Sequence, residues 1–526
     1  MKYNFDKPIN RQGTHCVKWD MAPHSAPEGA TLASSAANNT IEAPSGAVGG
    51  APLIPLWVAD MDFEAAPAIR AALQKRVEHG VFGYAIVQDS YYDAVINWYE
   101  RRHQWHIERE WIQYTTGVVP AISAVIKALT MPGERVLIMT PVYNCFFSSI
   151  RNNGCEVLES KLVPVSCAPT QEAASPTLTY EVDWDDFERK CADEKCTVFL
   201  LCNPHNPAGR VWTREELQRM NDICQRHHVR IISDEIHCEL TMPGYEFVPF
   251  GRLAPQTPTP NPSPREGSLD TFPPDDATSK AIQTPLPLGE ATGATGVFRA
   301  ATGVAAAPPR GANPSFATED FRAATGVAAA PQRGANPSFA TEEQGGGSAG
   351  AGWVICCSPS KSFNTAGLQM ANIICADAET RRRIDRAINI NEICDVNPFA
   401  PLAVEAAYNE SEDWIDELNQ YLWGNYQALL AFFAEQLPQL KVFKLEGTYL
   451  VWVDITALRV SADEIEEKLL REARVWVNSG TMYGADGYIR INIATQRARL
   501  MEGLKRMAAV LAPSHRGLGV SSSPLT

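Results

Sequence analysis

The chain has 526 residues, is 45% hydrophobic and 20% charged, and carries a formal net charge of −15, a composition with ample length for a globular core. So acidic a balance argues against nucleic acid or an anionic membrane surface as main partner, because both select clustered Lys and Arg. No apolar run approaches the ~20 residues that cross a bilayer, and the polar start Met1–Thr14 lacks the apolar centre of a secretory signal.

In chain order, residues 22–52 come first as a stretch dominated by Ala, Ser, Gly and Pro. Val118–Met131 then reads as a helix and Arg135–Thr140 as a short buried strand. Thr197–Cys202 and Val229–Ser233 are further strands, with a helix over Arg214–His227 between them. Residues 251–352 break the pattern. They are rich in Pro, Gly, Ala and Thr, and a unit beginning at Phe298 recurs at Phe321, a 23-residue period with two mismatches. Two copies without an amphipathic pattern are too few for a solenoid. Such a composition cannot bury enough apolar surface to offset ordering entropy, so a disordered insertion is expected.

The strands resume at Trp353–Ser358 and Ala371–Ala376. Alternation of this kind predicts an α/β fold, a mostly parallel sheet flanked by helices with its chemistry at the strands' carboxyl ends. Beyond it, long helices over Glu412–Leu437 and Ala462–Ala473 interleave with strands in Gly447–Ile455 and Gly487–Ala494, as in a smaller α+β domain. The expected organisation is an N-terminal segment 1–55 that packs with the small domain and contains the 22–52 insertion. A large domain 56–390, interrupted at 251–352, a small domain 391–512 and a disordered tail 513–526 follow. The 13 cysteines include no CxxC pair and sit in hydrophobic stretches, as at Cys202, Cys356, Cys357 and Cys375. They read as reduced thiols in a cytoplasm. His103 and His106 are the nearest approach to a metal pair, but no further ligands lie nearby and no metal is expected.

The chemistry sits at strand ends. Pro359-Ser-Lys361-Ser-Phe-Asn364 follows the buried strand at Trp353, and a lysine there, flanked by hydroxyls, suits a Schiff-base lysine with a phosphate beside it. A solvated loop lysine has the same local sequence. Asp234, closing the Val229–Ser233 strand, could hold a proton on a pyridine nitrogen or cap the next segment, and His237 could support it or be a structural histidine. Asn206, in the turn Asn203-Pro-His-Asn-Pro207, could donate to an oxygen anion, although ordinary turns use the same residues. Gly117 and Val118 open a helix whose free amides offer a phosphate seat or simply begin a helix. Tyr143 could stack on a flat ring or fill a core. Arg490, a charge within the apolar run Tyr488–Asn492, needs an anion: a substrate carboxylate or an internal acid.

Further motifs carry a resemblance. Tyr3-Asn-Phe-Asp6, Val17-Lys-Trp-Asp20, Leu56-Trp-Val-Ala-Asp-Met-Asp-Phe63, Phe82-Gly-Tyr84, Ser233-Asp-Glu-Ile-His237, Ala366-Gly-Leu-Gln369 and Glu446-Gly-Thr-Tyr-Leu-Val-Trp452 stand in the chain in this order. With the turn at Asn206 they resemble the MalY/PatB-type cystathionine β-lyases, C–S lyases within the fold-type I pyridoxal 5′-phosphate (PLP) enzymes of the class I/II aminotransferase superfamily. The resemblance covers nearly everything outside 22–52 and 251–352. It implies Lys361 as the lysine that carries PLP, Asp234 as partner of the pyridinium, Asn206 on the 3′-oxygen and Tyr143 on the ring. It implies Gly117, Val118, Ser358 and Ser360 around the phosphate, Arg490 on the substrate α-carboxylate, and Trp57 beside the substrate. Tyr84 would reach the neighbouring subunit's site, which implies a homodimer. Many aminotransferases of the superfamily place a phosphate-binding arginine eight residues after the lysine, where this chain has Gln369, a departure that favours the lyase branch.

The activity implied is α,β-elimination of L-cystathionine or related cysteine conjugates to a thiol, pyruvate and ammonia, with Lys361 as base and Tyr84 or Lys361 assisting the leaving thiolate. A class I/II aminotransferase shares the same residues, and a regulatory binding protein on this fold is a third reading.

Overall fold

The computed structural model describes residues 1–21, 52–168, 177–253, 352–390 and 395–512. The expected stretches 22–52 and 251–352 and the tail 513–526 lie outside these residues, apart from residues 52, 251–253 and 352. The described chain therefore runs three residues into the expected insertion. In the short turn Phe250–Arg252, Gly251 packs so closely on Trp105 that a Cβ would overlap the indole.

The main sheet has strands β1 (Ile112–Thr115), β2 (Arg135–Thr140), β3 (Glu156–Lys161), β4 (Cys196–Cys202), β5 (Arg230–Asp234), β6 (Trp353–Cys357) and β7 (Ala371–Ile374) in the order β1-β7-β6-β5-β4-β2-β3. All the pairings are parallel except those of β7, which runs antiparallel to β1 and β6. Strand alternation sorts the side chains by face. Val136, Ile138, Val198, Leu200, Ile232 and Val354 join one core with the helix α1 (Val118–Leu129), while Leu137, Met139, Phe199, Leu201, Ile231 and Ile355 join the other. Apolar burial on both faces explains why β2, β4, β5 and β6 read as continuous hydrophobic runs. The edge strands β1 and β3 gave no such signal, since IQYT and EVLESK carry polar residues where one side of the strand has no partner.

A second, antiparallel sheet has strands β8 (Lys441–Val442), β9 (Leu450–Asp454), β10 (Asn478–Ser479) and β11 (Tyr488–Asn492) in the order β8-β9-β11-β10. Its register sets Arg490 opposite Trp452 and Asn478. The helix expected over Ala462–Ala473 changes form halfway: an α-helix with a Ser461/Glu464 capping box runs over Ala462–Lys468, and a π-helical turn over Leu469–Ala473 buries Leu469, Leu470 and Ala473. The N-terminal segment lies against the long helix α2 (Glu412–Gln436), where Lys2 and Tyr3 reach Asp413 and Glu417, and Ile54–Pro55 pairs in parallel with Val475–Trp476.

Candidate active site

The parallel strands deliver their carboxyl ends to one edge, and the residues just beyond them line a cleft of about 480 Å³. Gly117 and Val118 follow β1, Tyr143 follows β2, Asn206 follows β4, Asp234 ends β5, and Ser360 and Lys361 follow β6. His237 joins them from the turn after Asp234, Trp57 from the segment before the main sheet, and Arg490 from β11 of the second sheet. Residues spread over hundreds of positions thus meet because strand ends in a parallel sheet share an edge.

Lys361 is half-buried, and its Nζ donates to the Ala59 carbonyl at 2.7 Å. Burial lowers the pKa of the amine, and the Arg490 charge lowers it further, while the charges of Asp60, Cys145 and Asp234 oppose them. Burial pushes the Asp234 carboxyl up to about 7 against two opposing effects, the Ile236 amide it accepts (3.2 Å) and the Lys361 charge. A carboxyl so placed becomes a firm anion only when a cation arrives beside it. Burial also presses His237 down to about 3, so its ring is neutral; its Nδ1 has no partner among the described residues.

Arg490 is buried, with Nη2 donating to Trp57 O (2.8 Å) and Nη1 to Asn206 Oδ1 (3.2 Å), while Nε has no partner. Its guanidinium carbon lies 4.9 Å from the centre of the Tyr483 ring. No carboxylate pairs with it, so the internal-acid alternative for Arg490 does not apply among the described residues. Trp57 stacks on Trp476 with ring centres 3.8 Å apart and lends one edge to the cleft.

These residues fit a flat, phosphate-bearing pyridine. The buried Asp234 carboxyl suits a protonated ring nitrogen and Tyr143 offers an aromatic face. The start of α1 offers the amides of Gly117, Val118 and Val119, with Pro120 contributing none. Ser360 lines the same region. Ser358 does not: its hydroxyl donates to Met370 O at 2.7 Å and receives the Ser360 amide at 3.1 Å, so it shapes the turn that presents Ser360 and Lys361. Tyr84 is also outside this chain's cleft and is 95% exposed. Thr116, Asn144, Asn478, Met482 and Tyr483 line the cleft without having been expected. Asn478 and Tyr483 bond each other at 2.8 Å, and no motif around them signalled a site.

The two histidines nearest to a metal pair in sequence are apart in the fold. His103 is buried and bonds Glu239 at 2.7 Å, whereas His106 faces solvent beside Glu100 and Glu108. His103, Cys238 and Glu239 lie close together, but Glu239 already accepts Trp98 Nε1 (2.7 Å) and faces Arg102 (3.6 Å). Burial alone would raise its carboxyl; the His103 and Arg102 charges and the Trp98 bond instead hold it at about 2. Glu239 is thus held by hydrogen bonds and charge within the chain.

The sequence profile of the family "Aminotransferase class I and II" matches residues 51–257 and 326–507. Cystathionine beta-lyase PatB of Bacillus subtilis (strain 168) is 30% identical over 511 residues, spanning 97% of this chain and 100% of that protein. Protein MalY of Escherichia coli (strain K12) is 24% identical over 506 residues, 95% of this chain and 97% of its own length. The crystal structure of cystalysin from Treponema denticola, which contains a pyridoxal 5′-phosphate cofactor, has a TM-score of 0.69 and 26% identity, covering 97% of this chain and 99% of that one. Profile, relatives and the cleft at the strand ends agree: the chain belongs to the class I and II aminotransferase family.

Proposed function

We propose that the cleft performs PLP-dependent α,β-elimination on cysteine thioethers, with L-cystathionine the first substrate to test. The observation that carries this reading is the meeting of a half-buried lysine amine, a buried carboxyl and an arginine with no carboxylate partner among the described residues in one cleft. Bound there, PLP supplies an electron sink conjugated to the substrate's Cα. Arg490 takes the α-carboxylate, which sets Cα within reach of Lys361. Lys361, kept neutral more readily by burial, removes the Cα proton. Asp234 holds a proton at the ring nitrogen, Asn206 donates to the ring oxygen, and Tyr143 covers one face. The amides of Gly117 and Val118 and the Ser360 hydroxyl hold the phosphate. His237 keeps a neutral ring beneath the site, so it adds no charge to compete with Asp234.

The thioether's Cβ–S bond breaks, a proton from Lys361 or from Tyr84 of a second subunit goes to sulfur, and water releases pyruvate and ammonium. The balance is thioether plus water to thiol, pyruvate and ammonium. A homodimer is supported by the exposed apolar run of Val81, Phe82, Tyr84 and Ile86, which a second copy would cover. A cytoplasmic location is supported by the free cysteine thiols. We keep the division into a large domain 56–390 and a small domain 391–512, with the cleft drawing on both.

Gln369 lines the cleft at the position where many aminotransferases place arginine, which favours elimination over transamination. The test is incubation with L-cystathionine. Stoichiometric pyruvate and thiol without an added 2-oxo acid is the expected result; turnover only when a 2-oxo acid is present would replace the lyase reading by a transaminase.

A further inference from the structure

The segment Trp57–Asp62 is a backbone rail on which both halves of the site rest. Trp57 O accepts Arg490 and Asn478, while Ala59 O accepts Lys361 Nζ (2.7 Å) and Tyr449 Oη (2.9 Å). Asn364, in the Lys361 loop, bonds Met61 N and O at 3.1 Å each, and Asn492, on the Arg490 strand, reaches Asp60 O at 2.8 Å.

The rail is fixed by charge from the N-terminal segment. Asp60 meets Arg11 at 2.6 Å, with Lys18 Nζ at 3.8 Å from its other oxygen and 3.1 Å from its carbonyl. Asp62 accepts Arg11 (2.9 Å) and Trp19 (3.0 Å) and lies 3.3 Å from both Lys18 and Arg499. Lys18 and Asp62 have no exposed side-chain surface. Burying such groups is costly, and well-packed apolar residues would commonly serve stability as well or better. The cluster stands one residue from the carbonyl that receives the Lys361 amine.

We propose that Asp60, clamped by Arg11 and Lys18, is a positioning residue for Lys361: held from the N-terminal segment, it fixes the adjoining Ala59 carbonyl that receives the amine. The inference rests on the reading of Lys361 as the base. With one N–H committed to Ala59 O, a neutral amine turns its lone pair away from that carbonyl. Among the charged groups acting on Lys361, Asp60 is the largest, raising its pKa; Arg490 lowers it, and Cys145 and Asp234 raise it less. The groups facing Asp60 are Arg11, Lys18, Lys361 and the Tyr449 hydroxyl, whose own pKa the Asp60 charge helps to raise after burial.

The test compares Asp60→Asn and Arg11→Gln in the PLP-loaded protein, following two readouts: the acid limb of the kcat–pH profile, and the visible-absorbance titration of the lysine-linked cofactor. Removing the Asp60 charge should move both transitions to lower pH by about one unit. Removing Arg11 should move both upward, because Asp60 is then less neutralised. Opposite shifts from two variants that weaken the same cluster are not expected of a merely structural role. Both variants titrating like the parent, or both only losing thermal stability and turnover at every pH, would overturn the proposal. Should Asp60→Asn not fold, the upward shift in Arg11→Gln decides alone. Retained turnover in Lys361→Ala would instead sink the base assignment, and the absorbance titration would still judge Asp60.

Discussion

Lys361 Nζ and Arg490 Nη2 end on carbonyls two residues apart in one backbone segment, at 2.7 Å on Ala59 and 2.8 Å on Trp57. The amine comes from a loop after the main sheet and the guanidinium from a strand of the second sheet, so the Trp57–Ala59 segment sets their separation. In the proposed elimination, a group that moves a proton at Cα and a group that grips the α-carboxylate need such a fixed spacing.

Lys361→Ala should therefore remove both the cofactor anchor and the base. Turnover is expected to fall by about 10²–10⁴-fold or more. Borohydride treatment of the parent protein should fix the cofactor to the peptide that contains Lys361; label on another lysine would refute the assignment.

Arg490 should act on binding more than on chemistry. Losing hydrogen bonds to a charged group costs about 1.5–3 kcal/mol, or roughly 10- to 100-fold. Arg490→Ala should raise KM by that factor with a smaller change in kcat, and Arg490→Lys should recover only part of it, since an ammonium lacks the planar fork. Unchanged KM in Arg490→Ala would move the carboxylate site elsewhere.

Asp234 links pH to stability with a definite sign. Its folded carboxyl titrates at about 7 because burial penalises the anion, above its ordinary value of 3.8. Between those values the folded protein keeps a proton that the unfolded chain has released, so stability falls as pH rises through this window. The ceiling on the loss is about 4 kcal/mol, at about 1.4 kcal/mol per unit. Glu235, raised to about 8, acts in the same direction; His237, lowered to about 3, instead costs stability as pH falls below its ordinary value of 6.5. Both are common to the parent and Asp234→Asn. The cofactor-stripped variant should thus melt above the stripped parent at pH 8, with the gap closing toward pH 4, while the PLP-loaded variant eliminates very slowly. A lower melting temperature for the variant at pH 8 would mean that Asp234 has a stabilising partner even without cofactor.

The shared-site reading of Tyr84 has its own test. Tyr84→Phe should impair elimination although the side chain lies outside its own chain's cleft. Mixing it with Lys361→Ala subunits should restore activity, because one site of each heterodimer then has both groups intact. No recovery on mixing would place both groups in the same subunit's site.

The site was legible where a buried strand ended in an unusual residue. Lys361, Asp234, Asn206 and Arg490 each break an apolar run or follow one, and a parallel sheet gathers such breaks at one edge. Ser358 could not be separated from Ser360 by sequence, since only the turn decides which hydroxyl faces Met370 and which the cleft. Asn478 and Tyr483 were invisible for a different reason. They sit in a two-residue strand and a short turn, elements too small to leave a periodic signal; Asn478 reaches the cleft by pairing with Arg490 of β11, and Tyr483 ends the turn that follows.

The long stretch at 254–351 should be dispensable. Its sequence is studded with Pro and Gly and carries the duplicated unit at Phe298 and Phe321, with no alternating run of strand length. The described chain on either side is firmly attached. Leu253 ends the Phe250–Arg252 turn, whose Gly251 packs on Trp105, and Gly352 O accepts the Ile231 amide just before β6. Trp105 and Trp353 meet edge to face with ring centres 5.8 Å apart, so both attachment points belong to one aromatic corner. Loop-closure entropy changes by only about 0.6 kcal/mol per doubling of length, so shortening the connection costs no stability by this route. Replacing 254–351 with a short Gly/Ser linker should leave a folded, yellow, PLP-loaded protein with parental kcat/KM on L-cystathionine. A nonspecific protease should cut the parent first within this stretch, the fragments remaining associated and coloured. An insoluble or colourless deletion variant would show instead that the stretch packs on the sheet domain, and would leave the assignments of Lys361 and Asp234 untouched.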